Sequence, residues 1–204
     1  MRVGLLGEGE TDVAVLRGLV RGACPGAETI RGEFRGRTRK RRRRELRDEL
    51  AGLFRGQRCA CALDLVDANE QGWLAAADRE RASVPDEHAH LVAVGAPDRN
   101  IECWLSADPD DLARETGCDA DTIRRAREGD PKGDVQAAFR RAAADRGRDV
   151  SEVMTEFAAG APLATWMAET SFEAFWDECR QLAGALGCDL PNPRDAKERR
   201  PASP

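Results

Sequence analysis

The chain has no stretch approaching the roughly 18 uninterrupted apolar residues of a membrane span, so no membrane-spanning helix is expected. Its opening apolar run, Val3 to Leu6, is cut short by Glu8. That run is too short for a signal peptide, so export is not expected and a cytoplasmic location is. No two of the seven cysteines have C-x-x-C spacing, and the count is odd. A secreted disulfide framework and a zinc ribbon are both disfavoured, and buried reduced thiols are the expectation. Lysine is scarce: Lys40, Lys132 and Lys197 are the only three of 32 basic residues. Arginine richness spread over a whole chain says little about binding, whereas clustering says more. There is no Gly-Lys-Ser/Thr phosphate loop, no G-x-G-x-x-G and no internal repeat.

What is present is a chain of 204 residues, 41% hydrophobic and 34% charged, enough for one domain with a core. Charge is uneven. Residues 1–66 carry 15 basic and 9 acidic side chains, a net of +6, and the remainder carries 17 and 28, a net of −11. Apolar runs at 2–6, 27–30, 59–66 and 89–95 read as strands. Between them, helical spacing runs from Thr11 or Asp12 through Val13, Leu16, Leu19 and Val20, over 39–54, and over 73–83. Strand and helix alternate, which predicts an α/β fold: a parallel-rich four-stranded sheet flanked by helices over residues 1–105. Residues 106–188 read as a C-terminal helical extension packed on that core, with helices expected from Asp108 and at 134–146, 150–159, 163–168 and 172–186. Residues 189–204, with almost no large apolar side chain past Pro191, read as a disordered tail.

In parallel sheets, sites gather at the carboxyl ends of strands. Here those ends are Glu8-Gly9-Glu10, Asp67-Ala68-Asn69 and Asp98 through Glu102, all bearing carboxylates. Three carboxylates at the start of the first helix would repel a bare phosphate but welcome a divalent cation. A purely structural role competes: the glycines make the turn, and Glu10 and Asp12 suit the helix dipole. Asp67 and Asn69, one residue apart, can reach a common point beyond the third strand. Asp64, inside that strand, reads as a structural side chain.

Glu8-Gly9-Glu10-Thr11-Asp12 after a first strand, with Asp67 and Asn69 after a later one, resembles the start and the Asp-x-Asp motif of the Toprim (topoisomerase–primase) superfamily. The run Asp98-Arg99-Asn100-Ile101-Glu102-Cys103-Trp104-Leu105 and the later Ser171-Phe172-x-x-Phe175 look like segments of small stand-alone bacterial Toprim-like proteins, which are similar to the nuclease domains of the overcoming-lysogenisation-defect family. The resemblance covers about half the chain. It implies magnesium- or manganese-dependent phosphodiester chemistry on DNA or RNA, a nuclease foremost, with a possible ATPase partner protein and, by family association, a role in phage defence. It implies Glu8 as metal ligand and proton carrier, and Asp67 as central ligand. Glu102 is implied as second-metal ligand with Asp98 as its competitor, and Lys132 as a stabiliser of phosphate charge. The bland alternatives are a salt bridge for Glu102 and an ordinary loop lysine for Lys132. Asn69 stands where the family has an acid. It can still coordinate through its carbonyl, but it removes one charge, and this motivates a competing reading as a non-catalytic nucleic-acid-binding or partner subunit.

The basic run Arg35 to Arg44, continuing to Arg47, holds no acid between Arg35 and Arg44. Arg39, Lys40, Arg41, Arg42, Arg43, Arg44 and Arg47 are expected to contact phosphates without sequence preference. A solvated helix face is the competing reading. No aromatics are interleaved, so base stacking is not expected. His88 and His90 read as surface or turn residues. Trp73, Trp104, Trp166 and Trp176 read as core.

Overall fold

The computed structural model describes residues 1–32, 39–68 and 72–192, excluding the side chains of residues 39–43. The expected site residue Asn69, the side chains of Arg39, Lys40, Arg41, Arg42 and Arg43, and the tail beyond residue 192 lie outside the described residues.

Four strands, β1 (Arg2–Leu6), β2 (Glu28–Arg31), β3 (Cys61–Leu65) and β4 (Val92–Gly95), form one all-parallel sheet in the order β2-β1-β3-β4. Alternation along each strand explains the two-sided burial. Val3, Leu5, Cys61, Leu63, Leu65 and Ala93 face one core. Leu6, Ala62, Val92 and Val94 face another. Asp64 is fully buried on the second side, as expected of a structural residue.

The first core is filled by α1 (Glu10–Ala23) and by the C-terminal helices: α4 (Glu102–Leu105), α5 (Pro109–Thr116), α6 (Ala120–Glu128), α7 (Lys132–Arg146), α8 (Val150–Ala159), α9 (Leu163–Trp166), α10 (Thr170–Gln181) and α11 (Ala183–Leu186). The helical half therefore shares its core with the sheet. α1 lies hard against α8: a Cβ on Gly18 would sit 2.4 Å from the Thr155 carbonyl oxygen, and one on Gly22 2.4 Å from that of Ala159. The second core is covered by α2 (Arg39–Ala51), a π-turn at Gly52–Gly56 and α3 (Trp73–Arg81).

β4 is an edge strand, and its exposed backbone is covered from the side: Glu178 on α10 accepts the Val94 N–H at 2.9 Å and also pairs with Arg81. Blocking an edge this way removes a template for strand addition. Three tryptophans are buried, Trp104, Trp166 and Trp176, whereas Trp73 is half-buried at the rim of the second core. A short 3-10 helix, Asp86–Leu91, occupies the expected start of the fourth strand, and His88 in it packs at a tilt on Phe54 with ring centroids 4.6 Å apart. α6 has no counterpart in the sequence reading. Its Ile123 and Ala126 are the only buried positions, too sparse an apolar stripe to declare itself. Among the described residues, no helix is long and apolar enough to cross a membrane.

The expectation that all thiols are reduced is corrected at one pair. Cys24, at the end of α1, is bonded to Cys188, just past α11, across 164 residues. Such a separation leaves no spacing signature. The other five cysteines are free. The stretch expected to open the tail is packed as far as residue 192: Leu190 is buried, and the Pro191 carbonyl accepts the Trp176 indole N–H at 3.1 Å. A bridge closing so long a loop is expected to stabilise by about 2–4 kcal/mol. Cys188→Ser should lower the urea midpoint correspondingly, and reductant should do the same to the native chain but not to the variant. Equal midpoints with and without reductant would show that the bridge contributes nothing.

Candidate active site

Because all four strands are parallel, their carboxyl ends share one edge of the sheet. β1 and β3 are neighbours, with Leu6 opposite Asp64 in register. Glu8 therefore follows β1 close to where Asp67 follows β3. The loop after β4 brings Ile101 and Glu102 to the same place. A cavity of about 300 Å³ opens there, lined by Glu8, Gly9, Thr11, Asp12, Asp67, Ile101, Glu102, Lys132 and Gln136.

The structure thus gathers four of the expected residues, Glu8, Asp67, Glu102 and Lys132. Asp98 lies outside the cavity, exposed, with its backbone N–H donating to Ser171 Oγ at 3.3 Å. Glu10 also turns away and pairs with Arg31 at 2.5 Å. Asp12 is the reverse case. It sits on the inner face of α1, 8% exposed, and its carboxylate accepts the Gly9 N–H at 2.8 Å, which satisfies one of the open donors at the helix start. Gly7 makes room for it, since a Cβ there would be 2.6 Å from Asp12 Cβ.

Electrostatics sets this cavity apart. Burial, and then the negative fields of Asp67, Glu8 and Glu102, push the Asp12 carboxyl up to about 7, against the opposing pull of the Gly9 N–H. Glu102 is 1% exposed, and burial raises its pKa too, with Asp67 adding to the rise; a hydrogen bond from Gln136 and the charge of Lys132 oppose it. Carboxylates crowded in this way are costly unless a cation joins them or a proton is taken up. Among the described residues, no three of His, Cys, Asp and Glu are gathered closely enough to hold a metal ion by themselves. The oxygens ring a cavity rather than converge on a point. An all-oxygen set of this kind fits a hard cation that keeps several waters and takes further oxygens from a phosphate.

The segment from Asp98 to Leu105 has its parts divided between support and site. Arg99 adopts a left-handed backbone, φ 67°, unusual for a residue with a Cβ, and its guanidinium donates to the Gly129 carbonyl. Asn100 donates to Asp130 Oδ1 at 3.2 Å, and that same oxygen accepts the Lys132 N–H at 3.1 Å. This clamp fixes the start of α7 beside the loop after β4. It is what brings Lys132 and Gln136, one helical turn apart, to the cavity. Trp104 anchors the segment: its indole N–H donates to Ser171 Oγ at 2.9 Å, and its ring lies 5.1 Å from Phe172 and 5.5 Å from Phe175. Ser171, Phe172 and Phe175 are therefore supports for that loop. Sequence reasoning missed Gln136, whose one signal was its i, i+4 spacing from Lys132.

Asp12 makes the metal-free protein pH-sensitive in a definite direction. Its folded pKa of about 7 lies above the ordinary value of 3.8, so the unfolded chain gives up this proton more readily. Stability from this group is full below about pH 4 and is lost as pH rises through 7, by on the order of 3–4 kcal/mol. In the presence of a chelator, Asp12→Asn is expected to raise the melting temperature at pH 8 relative to wild type and to change it little at pH 4.5. Parallel melting-temperature curves for the two proteins across that range would refute the assignment.

Compared with known proteins, the chain matches no family model, no curated protein and no solved structure.

Proposed function

We propose that this protein carries out magnesium- or manganese-dependent phosphodiester chemistry on nucleic acid, as a nuclease of the Toprim kind working in the cytoplasm. The observation that carries the reading is the cavity itself: carboxylates following three parallel strands, with one lysine, face one another at the carboxyl end of the sheet.

A second observation concerns where the arginine-rich helix begins. The π-turn that follows α2 leads to the opposite, amino end of the sheet: Cys59 N–H donates to the Leu53 carbonyl and Ala60 N–H to that of Arg2, the first residue of β1. α2 runs back along the sheet, so its first turns lie at the end that holds the cavity. Leu46 and Leu50 bury its inner side, while Arg44 and Arg47 are exposed. A positive helix that starts from the same end of the sheet as an acidic cavity suits a polyanion that must be held near a cation. It argues against a small phosphoester as the substrate.

In this reading a divalent cation supplies Lewis-acid charge at the phosphate and an acidified water. Glu8, Asp67 and Glu102 would hold that cation together with its remaining waters. Glu8, the most exposed of the three, accepts the proton of the attacking water. Lys132 Nζ meets the charge that grows on the phosphate oxygens as the P–O bond to the leaving group breaks. Asn69, neutral where the family has an acid, favours the second reading, a non-catalytic nucleic-acid-binding or partner subunit.

Two measurements test these readings. With magnesium or manganese and a panel of single- and double-stranded DNA and RNA, Asp67→Ala is expected to lose at least about 100-fold in cleavage rate, since it deletes the ligand between the other two strand ends. Undiminished cleavage would overturn the mechanism, and cleavage by Asn69→Asp alone would make the natural chain a binding subunit. Separately, changing Arg41, Arg42, Arg43 and Arg44 to Gln is expected to weaken binding across all sequences. It should also make the slope of log K against log salt shallower by roughly 3. An unaltered slope would reduce the run to a solvated helix face.

A further inference from the structure

We infer that Gln136 is a positioning residue for the cation site: its side-chain amide holds Glu102 Oε1, leaving the other carboxylate oxygen for the cavity. This inference rests on the cation-dependent reading of the cavity and deepens it.

Glu102 presents a specific difficulty. It is 1% exposed, lies in a helix of only four residues, and shares its surroundings with Asp67 and Asp12. Left alone, such a carboxylate would rotate away from the others, and that would remove it as a ligand. Gln136 Nε2 donates to its Oε1 at 2.7 Å. That bond fixes the rotation of the carboxylate plane.

The chemical type of the donor matters. An arginine or lysine in contact with Glu102 would also hold it, but would place a full positive charge where a cation must enter. A neutral amide orients the carboxylate without competing with the cation. The one cation on this wall, Lys132, stands a full helical turn away, at the exposed mouth. α7 therefore divides two tasks along one face, with the amide on the ligand and the ammonium toward the substrate.

Gln136 is itself rigidly held. Its neighbours on α7, Val135 and Phe139, are completely buried, and Phe139 packs edge-to-face on Phe157 at 5.5 Å. The start of the helix is fixed by the Asp130 clamp already described. A donor placed by a core helix serves a site better than one on a free loop.

The test reads cation binding directly. Manganese is titrated into the metal-free full chain by calorimetry and by the loss of the free-ion electron paramagnetic resonance signal. Gln136→Leu and Gln136→Met, which keep the bulk and remove the donor, are each expected to weaken manganese binding by roughly tenfold or more. Their melting temperatures in chelator should stay near that of wild type. Lys132→Ala, by contrast, is expected to weaken the binding of a nucleic-acid oligomer without weakening that of manganese, on the division of tasks along α7. Wild-type affinity in both Gln136 variants would overturn the inference while leaving the cation reading intact. A wild-type chain that binds no manganese would overturn both. Weakened binding in both variants, together with no cleavage of any nucleic acid, would sustain the inference and sink the nuclease reading.

Discussion

The packing of Trp104 is the contact on which the candidate site depends. Its indole N–H is satisfied by Ser171, its ring is held between Phe172 and Phe175, and all three partners are on α10, some 70 residues further along the chain. Glu102 is two residues before it. A carboxylate that is 1% exposed cannot be placed by its own preferences, because burying it is unfavourable. It is placed because the tryptophan beside it is worth burying and has a partner for its one polar atom. The same serine receives the Asp98 N–H, so the whole loop after β4 is tied to α10 at two points. Phe172 in turn meets Trp166 and Trp176, which spreads the anchor through the core of the helical half.

Against this framework stands an electrostatic cost concentrated at one edge of the sheet. Burial raises the proton affinity of Asp12 and Glu102, and the charges of Asp67, Glu8 and Glu102 raise it further for Asp12, as that of Asp67 does for Glu102. Folding tolerates the arrangement through a few specific donors: the Gly9 N–H on Asp12, the Gln136 amide on Glu102, and Lys132 nearby. Elsewhere the charges are paired on the surface, as in Arg148 with Glu152 and Glu156 or Arg124 with Asp110 and Asp121. Such exposed pairs contribute little. Two buried carboxylates of raised proton affinity, facing Glu8 and Asp67 around one cavity, are the physical mark of a candidate site.

Much of the fold was legible because its signals are local. The strand at Arg2–Leu6, the helical spacing after Gly9 and the alternation through residue 95 follow from periodicity, and parallel connection follows from alternation. Glu8, Asp67 and Glu102 could be singled out because each follows an apolar strand. α6 was not legible, since two buried residues do not make a pattern, nor was the Cys24–Cys188 bond, since its partners lie at opposite ends of the chain.

The sequence by itself determined a parallel-rich four-stranded sheet and the carboxylates at its carboxyl edge, because strand and helix periods and the residue after a strand are properties of neighbours along the chain. Only the tertiary structure placed Glu102 in the cavity wall and left Asp98 exposed outside it. It also turned Asp12 inward and Glu10 outward, and it brought Lys132 and Gln136 to the cavity through a clamp joining residues 30 positions apart. These outcomes depend on side-chain direction and on long-range hydrogen bonds. Neither is encoded in spacing, because each is settled only when distant segments compete for the same buried volume.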